Sequence, residues 1–501
     1  MTQPDWLILP DVSLLILLGL VLVIDLFMSD KNRKITEKFT LLGLIIIFII
    51  QLSVTFNQAF HAEPILFFDN MCINDGLSNV SKLIMYILTF VALVYSRQYL
   101  KQQNLYKGEY YLLILFALLG MNIMVSSINY VMMFIGLELL SLALYALIAL
   151  KRNSISSSEA SLKYFILGSL ASGILLFGIS MIYGATGTLD MLEVFQRSQN
   201  LADSKQILLL LGVVFSVVGI AFKFGTVPFH MWVPDVYEGA STSVAMFVGT
   251  APKIAVVVFA YRILLESLGT NLTDISLMLQ IIAVASLLLG NIAAIIQTNI
   301  KRMLGYSTIS HMGFIILGFS ANHFQYDGTS FLSYNWQGFY SAMFYAITYV
   351  GMSSVAFAVL MATSIKEKEC KNLSDLAGLN SRHPVLAFIM LLAMFSMAGI
   401  PPLVGFYAKF YVIEALIASQ LTWLAVFAVL MSLIGAFYYL RVVKVMYFDA
   451  PEKESSKKDL DLAMFAKIFL GFNGLALLIF GIYPEPIIRL CEYMFSMSKI
   501  L

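Results

Sequence analysis

Residues 216–254, SVVGIAFKFGTVPFHMWVPDVYEGASTSVAMFVGTAPKI, interrupt an apolar helix with charge and with helix breakers. Lys223 stands in a run that is otherwise apolar enough for a membrane, and Gly225 and Pro228 follow it. A second apolar run then carries Lys253. A lysine at the centre of a bilayer costs about 2.5–3.5 kcal/mol on insertion scales. Two such lysines around a broken helix therefore indicate proton or ion handling.

The composition is that of a membrane protein. Of the 501 residues, 60% are hydrophobic and only 12% are charged, about half the charged share of soluble domains. The net charge of +1 indicates no nucleic-acid partner. The three cysteines lie far apart without a histidine cluster, which argues against zinc, iron–sulfur and disulfide frameworks. The sequence contains neither a GxxxxGK[ST] phosphate loop nor a GxGxxG motif, so we predict no ATP or dinucleotide site.

Fourteen apolar segments are long enough to cross a bilayer, which takes about 20 residues. No basic region precedes the first, so we expect a retained helix rather than a cleaved signal peptide. The predicted fold is all-α and polytopic, with spans at 5–28, 36–56, 75–96, 110–128, 129–150, 160–184, 206–238, 241–268, 275–297, 302–320, 336–362, 384–418, 421–446 and 463–484.

Loop charges predict the orientation, because lysine and arginine prefer the cytoplasmic side. They are concentrated in the loops after odd-numbered spans, including Lys301 and Arg302, whereas the loops after even-numbered spans hold only Arg197 and Lys205. Both termini are therefore expected outside. The polar stretch 449–462 is expected to be a cytoplasmic loop.

Two spans, 206–238 and 384–418, are too long for simple crossings. A helix of that length would run to about 50 Å, against a hydrocarbon core of about 30 Å. Both contain breakers near the middle, GTVP at 225–228 and AGIPP at 398–402. Irregular backbone at membrane depth is tolerated only inside protein or beside water. We therefore expect both breaks in the bundle interior, next to a hydrated cavity.

The layout of the spans predicts an internal repeat. Each broken span is the fourth of five, counting residues 110–268 and 275–446, and the two cross the membrane in opposite directions. This is the pattern of an inverted-topology repeat, in which discontinuous helices mark the ion site. Three transmembrane helices in residues 1–109 precede the repeats, and a cytoplasmic loop and a last helix in residues 447–501 follow them.

Four charged residues lie deep in separate spans: Glu138, Lys223, Lys253 and Lys409. Burial readily shifts the pKa of lysine, whereas arginine stays charged. A glutamate and a lysine that feed a second lysine could therefore form a switchable proton relay. The alternative is a set of satisfied structural ion pairs, but four such residues on separate helices are expensive without a function.

Four further residues are relay candidates with structural alternatives. His311, with Tyr306 more than a turn earlier, could carry protons or only bridge two helices. His230 could act in the relay or cap the broken helix. Lys163 could join the relay or snorkel to the interface. By contrast, Arg262 and Glu266, four residues apart, are expected to be a structural pair.

Three motifs resemble a known family: FKFGTVPFHMWVPDVYEGASTSVAMFVGTAPKIA, NIKRMLGYSTISHMGF at 299–314 and AGIPPLVGFYAKFYV. Together with the order of the fourteen spans, they resemble the antiporter-like membrane subunits of respiratory complex I, the NADH–quinone oxidoreductase. The resemblance covers essentially the whole chain. One departure is EGASTS at 238–243, where proline is expected beside the threonine.

The resemblance implies a role in proton pumping. It implies Glu138 and Lys223 as a coupled pair, Lys253 as the central relay and Lys409 as the outward-side proton carrier. It also implies no cofactor on this chain, with FMN, iron–sulfur clusters and quinone on the other membrane and hydrophilic subunits. The implied location is the bacterial inner membrane, with both termini on the periplasmic side. Two alternatives remain: a subunit of a multi-chain cation/proton antiporter, and a non-pumping scaffold in a membrane hydrogenase or similar assembly.

Overall fold

The computed structural model describes residues 5–28, 32–61, 63–199, 201–321, 324–326, 331–334, 336–365, 368–450 and 464–496. In these ranges, twelve helices are long and apolar enough to cross a bilayer. The helices are α1 (Leu9–Leu26), α2 (Lys34–His61), α3 (Gly76–Gln102), α4 (Gly108–Ser126), α5 (Tyr130–Ile148), α6 (Ile155–Thr186), α7 (Met191–Ser198), α8 (Asp203–Phe224), α9 (Trp232–Gly239), α10 (Thr242–Val248), α11 (Ala251–Tyr261, continued by a π-helical turn at Arg262–Ser267), α12 (Leu272–Ile295), α13 (Ile300–Ser320), α14 (Gln337–Thr363), α15 (Leu379–Arg382), α16 (Pro384–Ala398), α17 (Val404–Ala418), α18 (Thr422–Phe448), α19 (Met464–Ile482) and α20 (Glu485–Ser496).

The prediction of an all-α, polytopic membrane protein is confirmed. Each of the fourteen predicted spans coincides with one or two of these helices. The last span, α19, is followed by α20 at an angle of 83°, a helix that the hydropathy pattern did not predict. Residues 451–463, most of the predicted cytoplasmic loop, lie outside the described residues.

Both predicted breaks are present and have the same form. α8 ends at Phe224, and Gly225 follows with a φ of 78°; α16 ends at Ala398, and Gly399 follows with a φ of 86°. Glycine is suited to these positions because a side chain would strain the left-handed backbone. A cis proline peptide lies in each break. The chain then resumes as α9 or α17.

A third break corrects the prediction of one continuous helix over 241–268. α10 ends at Val248 and α11 begins at Ala251, with Thr250 between them in a non-helical conformation. Pro252 occupies the first turn of α11, where its missing N–H leaves no hydrogen bond unmade. The break therefore lies directly before Lys253, at Gly249 and Thr250.

The helices divide into a buried centre and an exposed periphery. α10, α11, α13 and α14 are almost entirely buried, whereas α1, α2, α6, α12 and α18 bury well under half of their residues. The outer helices present large apolar side chains, such as Leu15 and Leu433, as expected of a lipid-facing surface. The central helices carry Lys253, Thr308 and His311.

Small residues allow the closest helix contacts. α4 meets α5 at Gly120 and Gly136, and α6 meets α8 at Gly178 and Gly212. A Cβ atom added to Gly120 would stand 2.6 Å from the backbone nitrogen of Leu140, so only glycine permits this approach. Packing at small residues is the usual means of association in membranes, where lipid competes with any apolar side chain.

Two antiparallel hairpins lie outside the spans and were not predicted. β1 (Ile65–Phe67) pairs with β2 (Cys72–Asn74), with Ile65 opposite Asn74. β3 (Phe324–Tyr326) pairs with β4 (Phe331–Tyr334), with a register shift near Tyr326. Short strands of this kind carry too few residues for a clear alternating pattern.

Candidate proton-relay site

Glu138 and Lys223 are joined through a serine. The Ser172 hydroxyl on α6 donates a hydrogen bond to the Glu138 carboxylate on α5. Lys223 Nζ, at the end of α8, lies 3.5 Å from Ser172 Oγ and donates to Ser141 Oγ at 2.8 Å. The predicted pair is therefore close but indirect, with a hydroxyl that both accepts and donates between the lysine and the carboxylate. Such a group can pass a proton in either direction.

Lys253 caps the broken end of α8. Its Nζ donates to the backbone oxygens of Phe224 at 2.9 Å and Lys223 at 3.3 Å. The last carbonyls of a helix lack partners within the helix and carry its negative dipole end, which favours a cation there. The ring of Trp232 lies 5.4 Å from Lys253 Nζ. Lys253 thus contacts the backbone of Lys223, and the two lysines meet at the same break.

His311 lies between two tyrosines in the second half of the chain. Its Nδ1 and Nε2 each lie 2.8 Å from a tyrosine hydroxyl, Tyr345 on α14 and Tyr439 on α18 respectively. Tyr439 also shares a hydrogen bond with Ser307, on the same helix as His311. The imidazole therefore bridges three helices and is part of a continuous hydroxyl chain, so its two predicted roles are compatible.

Lys409 caps the second break as Lys253 caps the first. Its Nζ donates to the Ala398 carbonyl and to Ser432 Oγ, both at 2.8 Å. A small cavity of about 10 Å³ lies between Lys409 and His311. That is close to the space that one water molecule needs. Asn291 and Tyr438 also line this cavity, so it is polar enough to hold a water.

A second chain of hydroxyls connects the first broken span, 206–238, with the surroundings of His311. Thr308 Oγ1 lies 3.2 Å from the Tyr237 hydroxyl of α9 and 2.8 Å from the Tyr349 hydroxyl of α14. The ring of Tyr349 stands 4.9 Å from that of His311. This chain therefore leads from the first broken span to His311.

The contacts separate two kinds of buried lysine. Within the described residues, Lys223, Lys253 and Lys409 contact hydroxyls and backbone carbonyls and form no direct ion pair. Lys82 and Lys301, by contrast, pair with carboxylates, Asp11 at 2.8 Å and Glu369 at 3.2 Å. A carboxylate in contact holds a lysine charged. The first three are therefore the better candidates for reversible proton binding.

Lys301 is predicted to lie in a loop before the span at 302–320, but it lies in the first turn of α13. It is fully buried and donates to the Ala240 carbonyl at 2.7 Å, at the end of α9. Its partner Glu369 lies in the loop after α14. Burial alone would raise the pKa of Glu369, but nearby Lys301, Lys151 and Lys371 outweigh it and lower the pKa to about 2.

Three predicted relay residues lie apart from these chains. Lys163 is exposed and pairs with Glu159 at 2.8 Å and Asp235 at 2.9 Å. Tyr306 is half-buried, with the Arg302 guanidinium 5.9 Å from its ring. His230 lies half-buried in the first break, where its Nδ1 has no hydrogen-bond partner among the described residues. Relay roles for these three stay predictions.

The expected structural pair of Arg262 and Glu266 is part of a larger cluster. Arg262 Nη1 lies 2.9 Å from Glu266, and Nη2 lies 3.0 Å from Asp75, which precedes α3. Arg262 and Asp75 are fully buried. Because Arg262 pairs with Asp75 as well as with Glu266, the cluster ties the start of α3 to the π-helical turn after α11.

The sequence signals for the hydroxyl partners were weak. Ser141, Ser172 and Ser432 lie in largely apolar helices, and serines are common in membrane bundles. Tyr345 and Tyr349, four residues apart on α14, were the one periodic signal, since this spacing places both on one face of a helix. Among the described residues, no three histidine, cysteine, aspartate or glutamate side chains are arranged to hold a metal ion.

The comparisons with known proteins agree on one family. Residues 127–435 match the family model described as NADH:quinone oxidoreductase/Mrp antiporter, transmembrane. NADH-quinone oxidoreductase subunit N of Neisseria gonorrhoeae is 53% identical over 96% of both chains. The chain belongs to the NADH-quinone oxidoreductase subunit N family. The subunit N sequences of Laribacter hongkongensis (49% identical over 96% of both chains) and Thioalkalivibrio sulfidiphilus (47% identical over 97% of this chain and 98% of the relative) agree with this assignment.

Solved structures extend the likeness to the fold. A chain of respiratory complex I from Thermus thermophilus is 28% identical, covers 96% of this chain and 98% of its own length, and has a TM-score of 0.77. A chain of the Mrp complex from Dietzia is 18% identical, covers 99% of this chain and 97% of its own length, and has a TM-score of 0.82. The second likeness, at 18% identity, shows a shared fold alone and does not by itself support the antiporter alternative.

Proposed function

We propose that this chain translocates protons as a membrane subunit of NADH-quinone oxidoreductase, along a path from Glu138 through Lys223 and Lys253 to His311 and Lys409. Membership of the subunit N family supports the activity. The observation that supports the path is a continuous series of contacts from the Glu138 carboxylate through Ser172 to Lys223. Lys253 continues the series, because its Nζ donates a hydrogen bond to the backbone carbonyl of Lys223.

The first half works as a switch between two charge states. When Lys223 is protonated, its ammonium faces Ser172 and Ser141, and the negative Glu138 stabilises it through the intervening hydroxyl. When Glu138 takes up a proton, that support is lost and Lys223 can release its own. Lysine suits this role because its charge responds to its surroundings, whereas arginine keeps its proton.

The second half carries the proton outward. From Lys253 the path continues to the hydroxyl chain that begins at Tyr237, whose hydroxyl lies beside Gly249, one turn before the lysine. It continues over Thr308 to Tyr349, beside His311. Water completes the steps between Lys253 and Tyr237, and between His311 and Lys409.

The energy for this transfer comes from outside the chain. Each proton moved against the membrane potential costs about 2.3 kcal/mol per 100 mV. We place the FMN, the iron–sulfur clusters and the quinone on partner subunits, with which this chain assembles. Their redox chemistry would reach Glu138 through a shift in charge or water at the boundary with a neighbouring subunit, because Glu138 is only half-buried in this chain.

The proposal includes an orientation in the bacterial inner membrane, with both termini on the periplasmic side. The concentration of basic residues in alternate loops supports it. It also includes an inverted repeat over residues 110–268 and 275–446. In support, each range contains a helix that is followed by a glycine in the left-handed conformation. In each case a lysine donates a hydrogen bond to a carbonyl in the last turn of that helix.

Substitution of Lys223 in the assembled complex tests the path. Lys223→Ala should assemble normally and translocate few or no protons per electron, and Lys223→Arg should fail nearly as badly because arginine does not release its proton. The matched control is Lys205→Ala, an exposed lysine at the start of the same helix. Normal pumping by both Lys223 variants would refute the relay. Normal pumping by Lys223→Ala is the result expected if the chain is a non-pumping scaffold.

A further inference from the structure

An apolar groove opens on the lipid-facing surface, away from the relay. It lies between α2, α3 and α19 and has a volume of about 230 Å³. Ile45 and Ile87, on its two long walls, are 45% and 49% exposed. Its lining is Leu44, Ile45, Phe48, Tyr86, Ile87, Phe90, Val91 and Phe469. The groove could therefore receive a hydrocarbon chain from the surrounding bilayer.

Basic side chains stand at one end of the same two helices. Lys34 and Lys38 are exposed in the first turns of α2, and Arg97 and Lys101 lie at the end of α3. Arg33 precedes α2 and donates to the Tyr106 carbonyl at 3.3 Å. Together they give this end of the bundle five cations.

Two carboxylates face these cations and do not cancel them. Glu37 is 2% exposed and pairs with Arg97 Nε at 2.8 Å. Asp25, at the end of α1, accepts a hydrogen bond from Thr36 at 3.1 Å. Lys34, Lys38 and Lys101 remain exposed beside them, so this end keeps a positive charge.

The cations and the groove lie on the same helix faces. On α2, positions 34, 38, 41, 45 and 48 follow the three-and-four spacing of one face, and so do positions 87, 90, 94, 97 and 101 on α3. Ten residues separate Lys38 from Phe48 and Arg97 from Ile87, which is about 15 Å along a helix. This equals the depth of one leaflet, half of a hydrocarbon core of about 30 Å.

We propose that the groove and its cations form a binding site for an anionic phospholipid, with the phosphate among Lys34, Lys38 and Lys101 and one acyl chain in the groove. Basic clusters at membrane depth attract anionic headgroups, each exposed cation contributing about 1 kcal/mol. The groove supplies the second, apolar half of the recognition. Its position one leaflet deep matches the reach of an acyl chain that hangs from a phosphate at the surface.

Photocrosslinking of the whole complex tests the site. The complex is reconstituted in phosphatidylcholine bilayers that contain a phosphatidylglycerol with a diazirine on its acyl chain, and a parallel sample carries the same diazirine on phosphatidylcholine. We expect the phosphatidylglycerol probe to label the segments around Ile45 and Ile87 at least about 25-fold more than the phosphatidylcholine probe.

Charge and groove variants separate the two halves of the site. The double variant Lys34→Gln, Lys101→Gln should reduce labelling by about 25-fold, or fivefold for each cation, which corresponds to about 1 kcal/mol each. Ile87→Trp should abolish labelling by filling the groove while all cations remain. The control Lys444→Gln, a 69% exposed lysine on α18, should change nothing.

Three results would overturn the proposal. Equal labelling by the neutral and the anionic lipid would remove the role of the cations. Labelling that survives Ile87→Trp would place the acyl chain elsewhere. Absence of lipid label in the native complex, with protein crosslinks from Ile87 to another subunit instead, would show that a neighbouring helix covers the groove.

Discussion

Removal of the Ser172 hydroxyl is the sharpest test of how Glu138 and Lys223 communicate. Ser172→Ala deletes the group that donates to the carboxylate and lies 3.5 Å from Lys223 Nζ. A hydrogen bond to a charged group contributes about 1.5–3 kcal/mol. If that amount is added to the barrier for transfer between the two residues, the step slows by about 10- to 150-fold. Lys223 keeps its bond to Ser141, so the fold should persist.

The assay is proton uptake into vesicles that contain the assembled complex, with NADH oxidation measured in the same sample. We expect fewer protons per electron in Ser172→Ala, with normal assembly. Ser172→Thr restores a hydroxyl at the same position and should recover most of the loss. The matched control is Ser169→Ala, an exposed serine one turn earlier on α6.

Two outcomes would refute this reasoning. Unchanged proton yield in Ser172→Ala would mean that Glu138 and Lys223 exchange protons by another route or not at all. An equal loss in Ser169→Ala would mean that the effect comes from the packing of α6 rather than from the bridging hydroxyl.

Three further predictions address other parts of the molecule. Tyr439→Phe removes a hydroxyl that lies 2.8 Å from His311 Nε2; we expect lower proton yield with unchanged assembly, whereas an unchanged yield would exclude this tyrosine from the path. The pKa of Glu369 is lowered to about 2 in the folded chain, from about 4.3 in the unfolded chain. Glu369 therefore adds about 3 kcal/mol to the free energy of unfolding above pH 4.3, and this stabilisation is lost as the pH falls towards 2. The melting temperature of Glu369→Gln should therefore be lower than that of the parent complex at pH 7, with a difference that narrows below pH 4; a constant difference would refute the assignment. Arg262→Met leaves two buried carboxylates unpaired and should cost about 3–5 kcal/mol, seen as loss of the subunit from the purified complex, and normal assembly would show that the cluster is not needed.

The deep charges and the broken helices could be recognised in the sequence because their signals are local. A lysine in an apolar run, such as Lys223 or Lys409, contrasts with every neighbour, and membrane burial makes that contrast costly. Glycine and proline at 225–228 and 398–402 break a helix wherever it packs, since their effect acts on their own backbone. Both breaks were therefore placed correctly before any tertiary contact was known.

The partners of those charges were decided only by the tertiary structure. Ser141 illustrates the reason: its hydroxyl already donates to the Leu137 carbonyl of its own helix at 2.7 Å, so a serine in an apolar span needs no partner elsewhere. The sequence around Ser172 likewise indicates small residues for packing and not a link between a carboxylate and a lysine. Asp75 could not be assigned to Arg262, since 187 residues separate them and many carboxylates were available.

Lys301 shows that the pattern of charges along the sequence does not predict which charged side chains are buried. The charge pattern assigned it to a cytoplasmic loop, yet it lies in a helix and contacts the turn after α9 and the loop that carries Glu369. In a membrane chain, local sequence determines where a helix runs and which charges are expensive, because these depend on the residue and the bilayer. Which hydroxyl, carbonyl or carboxylate offsets each charge depends on how the helices pack, and that is a property of the assembled bundle alone.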